Sequence, residues 1–362
     1  MLQLIEEIGT HVSFKRDTIN IDPQKIIKTD INEKAGLIRG SVLLTAPLLT
    51  KFGKIKIPLP GGCKLGERKI DFHIEGLKKM GANVKLNSRY MYLESDGLKG
   101  NDIILPFPSV GATENIMIAA TLAEGKTLIS NCAQEPEIID LGNFLIKMGA
   151  KINGLGTSEI TIEGVEELNG CKHRIISDRV EAGTYIAIAA MTNSDMTIKN
   201  CEPVILESFI EKIVQMGIKI KKTKNYLEVS GENNLSPLDI ITEPYPGFPT
   251  DMHPLITPVL SLASGESYLH ETIYESRFNY VNELKKMGSN IQIEGNKLII
   301  KGPTNLKGCE VNSPDLRGGA ALIIASLAAE GKSIINNISH VDKGYERIEE
   351  KLISIGAEIE RI

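Results

Sequence analysis

Apolar and polar positions along the 362-residue chain recur in one phrase. A helix-period stretch ends in Met or Ile, a glycine follows, and strict alternation comes next. The phrase stands at Ile8-Gly9, Met80-Gly81, Met148-Gly149, Met216-Gly217, Met287-Gly288 and Ile355-Gly356. Copies at a spacing of roughly 70 residues predict an internal repeat. The glycine falls where a helix C-cap favours a left-handed residue. The alternation after it, as in Asn83-Val84-Lys85-Leu86, predicts a half-buried strand.

The rest of the unit repeats as well. A helix apolar almost all round comes first, as in Ile116 to Ala123, Tyr185 to Met191 and Ala320 to Ala329. A Gly turn and a short strand follow, such as Thr127 to Ile129 or Ser333 to Ile335. An amphipathic helix, as at Glu137 to Met148 and Tyr345 to Ile355, leads into the glycine phrase. One unit cannot bury its apolar helix alone, so the units pack together with these helices inside and half-polar strands outside. The pattern predicts a two-domain α/β protein of six units, dividing near Ser177 into residues 1–176 and 177–362. Counting the period back from Gly9 runs past Met1. The expectation is therefore an incomplete first unit that begins at its second helix.

Composition narrows the class. A net charge of -5 argues against nucleic acid as the main partner. Five scattered cysteines without a C-x-x-C pair argue against disulfides and structural zinc and fit a reducing cytoplasm. The six histidines show no H-E-x-x-H or similar spacing. The start, Met1 to Glu7, lacks the pattern of a signal peptide. The longest apolar run, Ala320 to Ala329, is about half of a membrane span, so no membrane role is expected.

Candidate chemistry concentrates in two places. Pro60 to Arg68 holds Gly61, Gly62 and Gly66 around Cys63, with cations at Lys64, Arg68 and Lys69. Neighbouring cations stabilise a thiolate, so Cys63 reads as a proton donor or nucleophile rather than a buried core thiol. The second place is the start of each apolar helix: Arg39-Gly40-Ser41, Pro108 to Thr113, Asp178 to Gly183, Gly247 to Asp251, and Asp315 to Gly319. Helix N-termini bind anions, and parallel helices would gather them on one face of each domain, opposed across a cleft that suits a polyanion. Arginine forks suit phosphate, and Asp251 and Asp315 suit acid–base work. The plainer reading is that Ser, Thr and Asp here are N-caps and the arginines are solvated.

These residues resemble the UDP-N-acetylglucosamine enolpyruvyl transferase family over the whole chain. The resemblance is carried by Pro60-Gly61-Gly62-Cys63 with Arg68, Phe107 to Thr113, Glu135-Pro136-Glu137-Ile138, Pro246 to Met252, Glu275-Ser276-Arg277-Phe278, Asp315-Leu316-Arg317 and His340 to Arg347. It implies an inside-out α/β barrel of two three-repeat domains. The implied reaction moves enolpyruvyl from phosphoenolpyruvate to the 3-hydroxyl of UDP-N-acetylglucosamine by addition and elimination, with release of phosphate. It is the first committed step of peptidoglycan synthesis. By resemblance Cys63 is the proton donor and the target of the epoxide fosfomycin, Asp251 is the base at the sugar hydroxyl, and Asp315 and Arg317 complete the catalytic set. The implied substrate contacts are Arg39, Arg68, Lys69, Ile70, Asp71, Phe72, Phe107, Pro108, Ser109, Val110, Gly111, Ile273, Arg277 and Lys343.

Two departures stand out. Lys343 occupies a position where the family usually has Arg, and Lys loses the planar fork. The family's Lys-Asn pair, at the start of the first apolar helix, has no counterpart from Met1 onward, which leads to the expectation of poor turnover. Two other readings remain: the sister transferase acting on shikimate 3-phosphate, which lacks the Cys-bearing glycine loop, and a non-catalytic protein that binds the nucleotide sugar.

Overall fold

The structure, a computed structural model, describes all residues except 24, 25, 27 and 62–69. The chain forms two compact units; the described part of the first is 1–61 and 70–176, and the second holds Ser177–Ile362.

The first unit carries α1 (Leu2–Glu7), α2 (Thr45–Phe52), α3 (Asp71–Lys79), α4 (Val110–Ala120) and α5 (Pro136–Lys147). The second carries α6 (Arg179–Met191), α7 (Glu207–Gln215), α8 (His253–Leu260), α9 (Val281–Lys286), α10 (Leu316–Ala328) and α11 (Ile348–Ser354). Every residue of α8 is buried, as is the run Gly318 to Ala325 of α10. Helices α6, α8 and α10 pack on one another inside the second unit. In the first unit α4 packs against α2, α3 and α5. Helices α4, α6, α8 and α10 lie inside because their sequences offer almost no polar face for water.

Sheets of two to four strands lie around the helices, and they do not join into one closed barrel among the described residues. Their alternation follows the sequence: Ile160 and Ile162 are buried while Glu159 and Glu163 are exposed. Three inner helices sit in crossovers between parallel strands. Asp102–Ile104 pairs with Lys126–Ser130 around α4, Asp239–Ile241 with Gly265–His270 around α8, and Glu310–Asn312 with Ile334–Asn336 around α10. The chain leaving the first strand of each pair therefore runs into a helix N-terminus, the usual place for a ligand site in such a unit.

All six repeat glycines adopt the left-handed region: φ is 106° at Gly9, 97° at Gly81, 110° at Gly149, 109° at Gly217, 102° at Gly288 and 102° at Gly356. Two details differ from the sequence expectation. The last amphipathic helix starts at Ile348 rather than Tyr345, because Arg347 turns left-handed at φ 45° and Tyr345 is drawn into the interior. The alternating stretch after Gly356 forms no strand. A strand needs a hydrogen-bonded neighbour, and none pairs with it among the described residues. No helix among them is long and apolar enough to cross a membrane.

Candidate active site

In the second unit three helix starts converge. Asp315 begins α10 as its N-cap: its Oδ1 accepts from the Arg317 N–H at 3.0 Å and the Gly318 N–H at 2.9 Å. This buried cap orients Arg317, and the geometry matches the N-cap reading of Asp315. Arg317 then reaches across to the turn ahead of α8, where its Nε donates to Asp251 Oδ2 at 3.2 Å. Its Nη1 donates to the Tyr345 hydroxyl at 3.4 Å, and that hydroxyl shares a 2.7 Å hydrogen bond with Thr184 of α6. Arg277 approaches Asp251 from the other side, Nη2 to Oδ1 at 2.6 Å. Each guanidinium also lies over an aromatic ring, Arg277 over Tyr274 and Arg317 over Tyr345, both at 5.7 Å.

Partial desolvation by the groups packed around it would raise the Asp251 carboxyl, but the Arg277 and Arg317 guanidiniums outweigh this and hold the group well below the usual carboxylate range. Burial likewise opposes the charge on Arg317, and Asp251 reverses the balance and raises it. Two guanidiniums share one carboxylate that is 42% open to solvent, with Asp315 and Asp178 also close to Arg317. A guanidinium that turned from Asp251 toward solvent would offer an anionic ligand a planar fork of donors. A carboxylate so stabilised is a weak base until a guanidinium is drawn away.

Ile273 is half-buried beside this cluster, its N–H donating to Glu271 Oε1 at 2.8 Å. Lys343 ends the 3-10 helix Ile338–Lys343 and is exposed. Gly344 next to it packs on Leu316; a Cβ there would lie 2.8 Å from Leu316 Cδ2. Lys343 is thus held close to the turn that carries Arg317. The residues that sequence reasoning missed here are Glu271, His253, Tyr345 and Thr184. Each has ordinary composition for its element, and only their burial side by side marks them.

The first unit gathers its own set. Arg39 opens the 3-10 helix Arg39–Leu44. Asp71 opens α3, its Oδ1 accepting from the Phe72 N–H at 3.1 Å, with Ile70 just ahead of it. Ser109 caps α4 through the Ala112 N–H at 3.4 Å and follows Phe107, which is 39% exposed, and Pro108. His73, absent from the sequence expectations, joins these pieces. Its buried ring lies against Gly111, where a Cβ would come within 3.2 Å of Cε1. Burial, with the Arg39 charge, pushes the ring down to about 4, so it is neutral at pH 7. One buried imidazole thus lies against Gly111 at the start of α4 and within reach of the Arg39 charge. Burial raises Glu114 in the first turns of α4 to about 7, helped by the charges of Glu137 and Glu135. Cys63, Arg68 and Lys69 lie outside the described residues.

The fold defines the class. The chain matches the enolpyruvyl transferase NikO from Streptomyces tendae with a TM-score of 0.90 at 21% identity, over 99% of this chain and 86% of that one. It matches an EPSP synthase from Acinetobacter baumannii with a TM-score of 0.73 at 20% identity, over 99% and 87%. The family described as EPSP synthase (3-phosphoshikimate 1-carboxyvinyltransferase) matches residues 1–352. The UDP-N-acetylglucosamine 1-carboxyvinyltransferase of Halothermothrix orenii is 47% identical over 363 aligned residues, covering 100% of this chain and 87% of that protein. Its namesake 1 from Caldanaerobacter subterraneus subsp. tengcongensis is 46% identical over 100% and 87%. The chain belongs to the UDP-N-acetylglucosamine 1-carboxyvinyltransferase family and is a transferase.

Proposed function

We propose that this protein transfers enolpyruvyl from phosphoenolpyruvate to the 3-hydroxyl of UDP-N-acetylglucosamine with release of phosphate, opening peptidoglycan synthesis in the cytoplasm. The observation that carries the reading is the Asp251 carboxylate held between Arg277 and Arg317 at converging helix starts, in a chain 47% identical to a relative named for that activity. Both substrates are anions, and fixed cations suit the charge that develops in an addition–elimination. In this scheme Asp251 takes the proton of the sugar hydroxyl as its oxygen bonds to C2 of phosphoenolpyruvate. Cys63 delivers a proton to the methylene carbon. Return of a methyl proton to the Cys63 thiolate and departure of phosphate, which takes up the proton held by Asp251, then restore the double bond and both side chains. Arg317 and Lys343 hold the phosphoenolpyruvate anion, with Arg68 beside them by resemblance. As Arg317 turns toward that anion, Asp251 loses part of its stabilisation and becomes a better base. Arg39, Asp71, Phe72 and Phe107–Gly111 hold the nucleotide sugar. No cofactor enters the scheme. The shikimate 3-phosphate alternative has less support, because EPSP synthase stands at 20% identity.

The test is Asp251→Asn. Turnover, followed as phosphate release, falls by about 100- to 10,000-fold while the affinity for UDP-N-acetylglucosamine changes little. A collapse of affinity with turnover preserved would make Asp251 a binding residue.

A further inference from the structure

We infer that Glu271 is a positioning residue for the Asp251–Arg277 contact, acting through Thr250 and the backbone of Ile273 and Tyr274; the inference rests on the role proposed for Asp251. The Glu271 side chain is buried and accepts five hydrogen bonds. Oε1 accepts from the Thr242 hydroxyl at 2.9 Å, the Ile273 N–H at 2.8 Å and the Tyr274 N–H at 3.1 Å. Oε2 accepts from the Thr250 hydroxyl at 2.9 Å and from His253 Nδ1 at 2.8 Å. Burial would raise the carboxyl, but donors led by His253 bring it down to about 2, so it stays ionised. His253 is fully buried, and that burial lowers its pKa. The neutral ring therefore carries its proton on Nδ1, facing Glu271, while its Nε2 has no hydrogen-bond partner among the described residues.

One carboxylate thereby ties two segments that are distant in sequence. Thr250 directly precedes Asp251. Ile273 and Tyr274 open the turn that ends at Arg277, whose N–H returns to the Tyr274 carbonyl at 3.3 Å. Glu271 sits behind both ends of the 2.6 Å Asp251–Arg277 contact and sets their spacing. Packing locks the ring of the pair as well, edge-on to Phe278 at 5.3 Å and Tyr280 at 5.7 Å. A buried carboxylate that accepts five hydrogen bonds from fixed donors holds geometry rather than adding reactivity.

The test uses Thr250→Val, which removes one hydroxyl aimed at Oε2 and leaves four donors on Glu271, together with Glu271→Gln. Misplacement of a reacting group by less than an ångström predicts a fall in kcat of about tenfold or more for Thr250→Val, with KM for both substrates within about twofold and the melting temperature nearly unchanged. In an Asp251→Asn background, with product read by mass spectrometry, Thr250→Val causes little further loss, because the group it positions is gone. If Glu271→Gln folds, it reproduces the same kcat pattern; if it does not fold, Thr250→Val alone decides. Wild-type kcat for Thr250→Val, or an equal loss in both backgrounds, overturns the inference. Failure of the underlying reading shows separately, as wild-type turnover by Asp251→Asn alone.

Discussion

Arg277 is 1% exposed and its Nη2 lies 2.6 Å from Asp251 Oδ1, the carboxylate being 42% exposed. A buried cation thus depends on an anion that faces solvent. The pair stays open to a ligand on one side and is sealed on the other. Removal of the anion strands the Arg277 charge. Asp251→Ala is therefore expected to lower stability more than Asp251→Asn, whose amide oxygen still accepts, by about 1–3 kcal/mol in chemical denaturation. Equal stabilities would mean that Arg277 finds another partner.

Arg317→Gln removes one of the two guanidiniums on Asp251. The Asp251 carboxyl then rises toward its ordinary value. A depressed carboxyl contributes stability above its unfolded pKa and loses it as pH falls toward its folded pKa, so in the variant that loss starts at the same pH, is smaller and is complete at a higher pH. The acid limb of kcat/KM moves up in pH as well. Acid-unfolding curves and a pH–rate profile check both; an unmoved acid limb would separate Asp251 from the rate.

His73 is neutral in the folded unit, with a pKa pushed down to about 4 by burial and Arg39. Its unfolded form takes up a proton near pH 6.5, so the stability from its neutral form is complete above about 6.5 and lost on acidification toward 4, on the order of 3 kcal/mol in all. Replacement by Gln flattens that slope. Denaturation midpoints at pH 7 and 4.5 in the two proteins measure it.

Glu114 has the opposite sign. Its carboxyl is raised to about 7 by burial, Glu137 and Glu135, so the fold favours the protonated form. Stability from this group is complete below about 4.5 and lost as pH rises toward 7. Glu114→Gln is expected to raise the melting temperature at pH 8 and to leave it nearly unchanged at pH 4.5. A stabilisation equal at both pH values would refer the effect to packing instead.

Thiol reactivity offers a further test. Burial pushes the thiols of Cys132 and Cys201 up to about 11, which leaves them inert near neutrality. Brief exposure to fosfomycin, with peptides read by mass spectrometry, is expected to place the adduct on Cys63. Labelling first at Cys171, which is exposed, would remove Cys63 from the chemistry.

The repeat glycines allow a clean backbone test. Gly149 has φ 110° and nothing within 4 Å of a Cβ placed on it. Gly149→Ala therefore tests left-handed strain alone and is expected to cost about 1–2 kcal/mol. A neutral result would mean that the cap relaxes.

Much of this architecture was legible in the chain itself. Glycine after the last turn of a helix is a local requirement, because only its neighbours decide φ, and all six positions could be read without a fold. Helix and strand periods are equally local: Asn83–Leu86 forms the strand its alternation predicts, and α6, α8 and α10 lie inside because they have almost no polar face. The helix starts bearing Arg317, Asp315 and Asp251 were visible as small, polar positions for the same reason. What the sequence could not decide was pairing across distance. That Arg277 rather than Lys343 completes the Asp251 contact, that Asp315 serves as a cap, that Tyr345 leaves its helix for Thr184, and that Glu271 joins Thr250 to the Arg277 turn all depend on which loops the packed helices bring together. No local pattern encodes those distances. Burial then gave the groups their chemistry: His73 and Glu114 take unusual protonation states only because the tertiary fold removes the water around them.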